Sequence, residues 1–134
     1  MLRLPALVLA MAAASPAAAE EVAFTSPSGN IRCLMSGPSG EGLRCDLGVD
    51  GRSFARPPAG CEGDWGTAFA LGRRGPGRPI CADAPLATPG ARVLSYGALL
   101  SWGGITCRSE EDGMTCTNEA GGGFSLSRAR QRVF

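Results

Sequence analysis

The chain has 134 residues, with 13 Arg and no Lys against 12 acidic residues, and no His, for a formal net charge of +1. Near-neutrality withholds the basic excess that nucleic acid or an anionic membrane surface requires. The absence of Lys and His removes Ser-Lys and His-assisted nucleophilic chemistry, and with no CxxC pair it removes zinc-type spacing as well.

At the N-terminus Arg3 precedes an apolar stretch over 6–14, Ser15-Pro16 interrupts it, and the small residues Ala17 and Ala19 lead into Glu20 and Glu21. This is the layout of a secretory signal peptide cleaved after Ala19. A spanning helix would need about 20 uninterrupted apolar residues, and no Cys follows the site closely enough to receive a lipid. Removal of 1–19 takes Arg3 with it and leaves 115 residues with 12 Arg and 12 acidic residues, one domain over 20–134 with a formal net charge of zero.

An apolar piece over 22–24 predicts the first strand. Ile31-Arg-Cys33 is then followed by a turn-rich segment over 36–42 and by Gly42-Leu-Arg-Cys45-Asp, and the same phrase returns as Ile105-Thr-Cys107, a polar turn over 109–113, and Gly113-Met-Thr-Cys116-Thr. Side chains in a strand repeat every two residues, so the apolar residue and the Cys share a face in both copies. Each copy reads as a β-hairpin that brings its cysteines opposite one another, within disulfide reach. An even number of cysteines in an exported chain reads as a disulfide framework. The expected pairs are Cys33 with Cys45 and Cys107 with Cys116, leaving Cys61 with Cys81, and each should contribute about 3 kcal/mol.

Between the hairpins, apolar pieces over 65–71 and 93–100 predict strands, and the run 72–79, rich in Gly, Arg and Pro, predicts an exposed loop inside the Cys61–Cys81 closure. Gly121-Gly-Gly123 reads as a tight turn or bulge feeding a strand over 124–126. The tail over 127–134 admits two readings: a strand with Arg128, Arg130 and Arg132 on one face, or a helical turn stacking only Arg128 with Arg132. The pattern as a whole is all-β, a small disulfide-stapled sandwich or barrel containing two similar hairpins.

Chemistry is sparse. Glu62 and Asp64 are the nearest thing to an acid/base pair, but nothing in the sequence supplies them with a cleft. Asp46, Asp50 and the run 110–112 offer oxygen ligands without the spacing of a calcium loop, and no metal or cofactor is expected. Trp65, Trp102 and Tyr96 each stand close to glycine; such aromatics form ligand platforms, though more often they are core residues for which glycine makes room. Arg128 could receive an anion, or tether the tail through a carboxylate or carbonyl. The candidate ligand contacts are therefore Asp64, Trp65, Trp102 and Arg128, with no catalytic residue assigned.

Several stretches together resemble a known family: Phe24-Thr-Ser-Pro-Ser-Gly-Asn-Ile-Arg-Cys33, Arg44-Cys45-Asp46, Cys61 with Asp64-Trp65-Gly66, Tyr96-Gly97, and Gly113-Met-Thr-Cys116-Thr-Asn118 ending in Gly123-Phe-Ser-Leu-Ser-Arg128. In this order they are similar to the bacterial family catalogued as domain of unknown function 6636, over residues 24–134. The Gly121-Gly-Gly123 turn departs from the family pattern, in which a bulkier polar residue precedes the final glycine. The resemblance implies a small exported protein and no particular activity. The expected function is non-enzymatic recognition of a protein or glycan in the cell envelope or outside the cell, in the periplasm or after secretion, without stable membrane insertion. The alternatives are a small carboxylate-dependent hydrolase of cell-wall or glycan substrates, with Asp64 or Glu62 as the acid, and a secreted enzyme inhibitor using 72–79 as an insertion loop.

Overall fold

Short apolar stretches punctuated by Gly and Pro are too brief for helices and suited to strands. The computed structural model describes residues 1–12, 21–36 and 42–134, and among them there are eleven strands and no helix. The expected cleavage-site residues Ala17 and Ala19, and turn residues 37–41, lie outside the described residues.

The strands are β1 (Glu21–Thr25), β2 (Ile31–Ser36), β3 (Leu43–Leu47), β4 (Ala68–Leu71), β5 (Arg78–Pro79), β6 (Arg92–Val93), β7 (Leu99–Trp102), β8 (Ile105–Glu110), β9 (Gly113–Asn118), β10 (Gly123–Ser127) and β11 (Gln131–Val133). They form two sheets, ordered β5-β4-β3-β2-β1-β6 and β11-β10-β9-β8-β7. The fold is an all-β sandwich, and each sheet contains an up-and-down meander of five consecutive strands. Only β6 breaks the pattern, adding to the free edge of β1 in parallel.

The two hairpins seen in the sequence are β2–β3 and β8–β9, one in each sheet. Cys33 lies opposite Cys45 and Cys107 opposite Cys116 in register, and both pairs are bonded, with Cα separations of 4.1 and 4.0 Å. Cys61 joins Cys81 across 5.8 Å. The likeness runs further than the hairpins. One buried row of the first sheet reads Phe24, Cys33, Cys45, Phe69 across β1 to β4, and one row of the second reads Leu100, Cys107, Cys116, Phe124 across β7 to β10. The rows meet where Phe69 and Phe124 pack with ring centroids 6.3 Å apart, and Phe54 closes edge-on over Phe69 at 5.8 Å. Phe24, Phe69 and Phe124 are fully buried, each contributing about 2–3 kcal/mol of transfer free energy.

The repeated glycine in the echo has a packing reason. A Cβ on Gly42 would lie 2.2 Å from the Leu71 carbonyl oxygen of β4, and one on Gly113 would lie 1.9 Å from the Leu126 carbonyl oxygen of β10. Any side chain there would force the third and fourth strands of the meander apart.

Four expectations need correction. Within 65–71 only Ala68–Leu71 is strand; Trp65 precedes it in a loop, where Asp64 pairs its backbone with Ala82 in an isolated bridge. The piece 93–100 is not one strand but the end of β6 and the start of β7. Between them Leu94 turns inward to be buried and donates its N–H to the Thr25 carbonyl, and Gly97 takes a positive φ of 81° that no extended strand has. The run 72–79 is an exposed loop only over 73–76, because Gly77 is buried and Arg78–Pro79 pairs with β4 as β5. In the tail, 128–130 is a turn and Gln131–Val133 a strand, so Arg128, Arg130 and Arg132 do not share one strand face. Gly123 opens β10, which is the turn-into-strand arrangement expected of the glycine run.

Three disulfides are a framework of oxidising compartments, and they place the domain outside the cytoplasm. No helix among the described residues is long and apolar enough to cross a membrane.

Candidate functional site

Strand directions decide which residues can act together. Trp102 pairs with Ile105 at one end of β8, while Glu110 and the turn to β9 lie at the other. Six strand residues at about 3.3 Å each separate those ends by some ~17 Å. Trp102, partly buried against the core, and Arg128, exposed beyond the far end of β10, therefore cannot share a small ligand.

At the Arg128 end, loops from both sheets converge: 26–30, 48–53, 95–97, 110–113 and 127–130. Backbone and buried amide contacts tie them together. The Asp50 N–H donates to the Arg128 carbonyl at 2.9 Å, the Asn30 amide to the Gly48 carbonyl at 3.1 Å, and the Gly97 N–H to the Ser109 carbonyl at 2.7 Å. Gln131, only 2 % exposed, is the centre of this arrangement. Its side-chain amide donates to the Ser127 carbonyl at 2.8 Å, its side-chain oxygen accepts the Ser53 N–H at 2.9 Å, and its own N–H donates to the Ser53 hydroxyl at 2.9 Å. An amide can satisfy donor and acceptor demands at once, and here one amide fixes the loop over 48–53 to the β10–β11 turn.

Above this base opens a cleft of about 440 Å³, whose lining includes Ser28, Asn30, Asp50, Tyr96, Glu110 and Arg128. Tyr96 is 51 % exposed, so its ring is available from solvent, whereas Trp65 and Trp102 are partly buried as core aromatics would be. The cleft thus combines an aromatic face, hydroxyl and amide groups that donate or accept, carboxylates that accept, and one guanidinium that donates. Among the described residues no cluster of three or more Cys, Asp or Glu side chains is arranged to hold a metal ion.

Glu62 and Asp64 do line a common cleft, on the outer side of the first sheet. Asp64, however, is fully engaged: it accepts from the Thr67 hydroxyl and forms an ion pair with Arg52 at 2.9 Å, while the Arg52 guanidinium also donates to the Trp65 carbonyl. The Thr67 hydrogen bond and then Arg52 hold the Asp64 carboxyl below the ordinary aspartate value, against a small opposing effect of burial. A general acid for glycoside hydrolysis needs the opposite displacement. Together with the Cys61–Cys81 bond, these contacts make Asp64 a clamp on the 52–67 loop. The Trp65 indole N–H is enclosed without a partner among the described residues.

Asp46 is likewise structural. It is 6 % exposed, receives two bonds from the Arg44 guanidinium at 2.8 and 3.0 Å, and accepts the Leu86 N–H at 3.0 Å, which fastens the 84–86 segment to β3.

The opposite end of the sandwich has its own lock. Asn118, 7 % exposed, donates to the carbonyls of Gly72 and Gly75 at 3.0 and 2.9 Å and accepts from the N–H groups of Ala120 and Gly122 at 3.1 and 2.9 Å. The Gly77 N–H donates to the Phe134 carbonyl at 2.9 Å. Arg73 and Arg74 stand exposed on the loop so held. Sequence reasoning passed over Asn118, Gln131 and Arg52 because their partners are backbone carbonyls and loop residues far along the chain. The position of Asn118 at the end of a cysteine strand was the one available signal.

A family model described as "Family of unknown function (DUF6636)" matches residues 3–134. No curated protein matches the chain, and no solved structure matches it.

Proposed function

We propose, for a chain that belongs to the DUF6636 family of unknown function, that it is a non-enzymatic recognition domain of the cell envelope or the extracellular space. It is exported by a signal peptide over 1–19 and acts, as a single domain over 20–134, in the periplasm or after secretion. Its ligand is a hydroxyl-rich glycan bound in the Tyr96–Arg128 cleft. The observation that carries this reading is the exposed Tyr96 ring beside Asp50, Glu110, Asn30 and Arg128 in one open cleft on a stapled frame. A sugar ring stacks its C–H face on an aromatic and divides its hydroxyls among acceptors and donors. A rigid scaffold with convergent loops limits the ordering cost of binding.

Glycan arrays, followed by titration calorimetry on the best ligand, test it. Tyr96→Ala and Arg128→Ala should each weaken binding by at least about tenfold, roughly 1.4 kcal/mol, with the melting temperature unchanged. Blank arrays with envelope, cell-wall and extracellular glycans would overturn the glycan assignment.

The Asn118 lock favours a second reading, secreted enzyme inhibition by the 72–79 loop. An inhibitory loop must be held in one conformation before its target arrives, and Arg73 and Arg74 are presented on a loop held in that way. Progress curves of arginine-specific serine proteases, with and without the oxidised protein, test this reading. Simple cleavage after Arg73 or Arg74 without inhibition removes it.

A further inference from the structure

Each sheet of a sandwich has two edges, and an edge strand with free N–H and C=O groups must be protected or it recruits another strand. Four strands occupy edges here: β5, β6, β7 and β11. β5 carries Arg78 and Pro79, β6 carries Arg92, and β11 carries Arg132 and is covered by Ser53, which exchanges bonds with Gln131. β7 is Leu-Leu-Ser-Trp, with neither charge nor proline. It is also the counterpart of β1 in the second meander. The edge of β1 is capped by β6, and that of β7 has no strand beside it among the described residues.

The hydrogen-bonding phase of this edge follows from its partner. Ala98 offers its carbonyl to the Ser109 N–H of β8 at 3.1 Å. Antiparallel pairs alternate, so Leu100 and Trp102 also face β8, while Leu99 and Ser101 turn their N–H and C=O groups outward. Leu99 itself is 56 % exposed.

We infer that β7 is a self-association edge, pairing antiparallel with β7 of a second copy about a two-fold axis through Leu100. That register sets Leu99 against Ser101 of the second copy, so the four outward-facing residues exchange four backbone hydrogen bonds. Leu100 meets its own copy directly on the inner face, with Trp102 opposite Ala98. On the outer face the two Leu99 side chains are diagonal neighbours across the axis, at a spacing that long side chains bridge. The pairing strands carry no charge, so identical edges meet without repulsion, and a ten-stranded sheet runs through the dimer. The axis passes through β7 rather than the loop cleft, and the inference stands apart from the glycan reading.

Sedimentation velocity of the oxidised full domain across a wide concentration range is the first measurement, and reversible dimerisation is expected. Leu99→Lys should raise the dissociation constant at least about tenfold, with the near-ultraviolet circular dichroism unchanged. Mixing Leu99→Lys with Leu99→Glu protein should restore dimerisation, because the diagonal pair becomes oppositely charged. A wild-type monomer at every concentration overturns the inference, even if a strand from another protein binds the edge. A dimer indifferent to both the charge and its swap overturns it equally.

Discussion

Replacing Asn118 with Ala tests how the two sheets are held together at one end. The side chain makes four hydrogen bonds, which is its whole capacity: two donated to the Gly72 and Gly75 carbonyls and two accepted from Ala120 and Gly122. It is 7 % exposed, so water cannot replace all of these partners without the loop opening. At about 1 kcal/mol net for each bond, the loss should be roughly 3–4 kcal/mol. That is a large share of the net stability of ordinary domains, about 5–15 kcal/mol. The assay is guanidinium unfolding with the disulfides intact, read by Trp fluorescence, in parallel with limited trypsin digestion. The midpoint should fall with an unchanged slope. Cleavage after Arg73 and Arg74 should accelerate by roughly 100- to 1,000-fold, because 1.4 kcal/mol corresponds to a factor of ten in the open population. Asn118→Asp keeps the acceptors but turns a carboxylate toward two carbonyl oxygens, and should be no better. A loss below about 1 kcal/mol with unchanged trypsin sensitivity would refute the reasoning.

Ser109 is fully buried on the core face of β8 and its hydroxyl has no partner among the described residues; Ser109→Ala should be neutral or stabilising by up to about 1 kcal/mol, seen as an unchanged or higher melting temperature. The Asp64 carboxyl should titrate below 3.8 in a carbon-detected NMR experiment. A lowered folded-state pKa stabilises above the unfolded value and is lost as the pH falls through the folded one. The stability gap between wild type and Asp64→Asn should therefore be present near neutrality and close in that acidic range. Replacing both Cys107 and Cys116 by Ala removes the closure with a sequence separation of 9 and should cost about 3 kcal/mol by calorimetry. An equal cost for the Cys33 and Cys45 pair, separation 12, is expected from the weak dependence of closure entropy on loop length.

The hairpins and all three disulfides were legible in the sequence because strand periodicity and short closures act locally. The likeness of the two sheets was only half legible. Phe69 follows Cys45 by a long irregular loop, whereas Phe124 follows Cys116 after a tight glycine turn, yet both reach the position opposite the second cysteine. Unequal connections hide the match in a linear reading and leave it plain in the register. The segment 93–100 misled for a different reason: its apolar residues serve three environments, with Val93 on an edge, Leu94 in the core and Leu99 in solvent. At the cleft, Arg128 was legible as a charge awaiting a role. Gln131 and Asn118 were not, because a carbonyl partner can be supplied by any residue and so leaves no mark on the sequence at the other end.

The disulfides join the first cysteine to the second, the third to the fourth and the fifth to the sixth. A chain that emerges N-terminus first delivers each cysteine's partner next, at a separation of at most 20 residues, before any competing thiol appears. Of the fifteen ways to join six cysteines, order of arrival alone selects the native one. In an oxidising compartment a simple oxidant is then enough to complete the covalent frame as the chain arrives, and an isomerase becomes necessary only for chains that were fully released while still reduced.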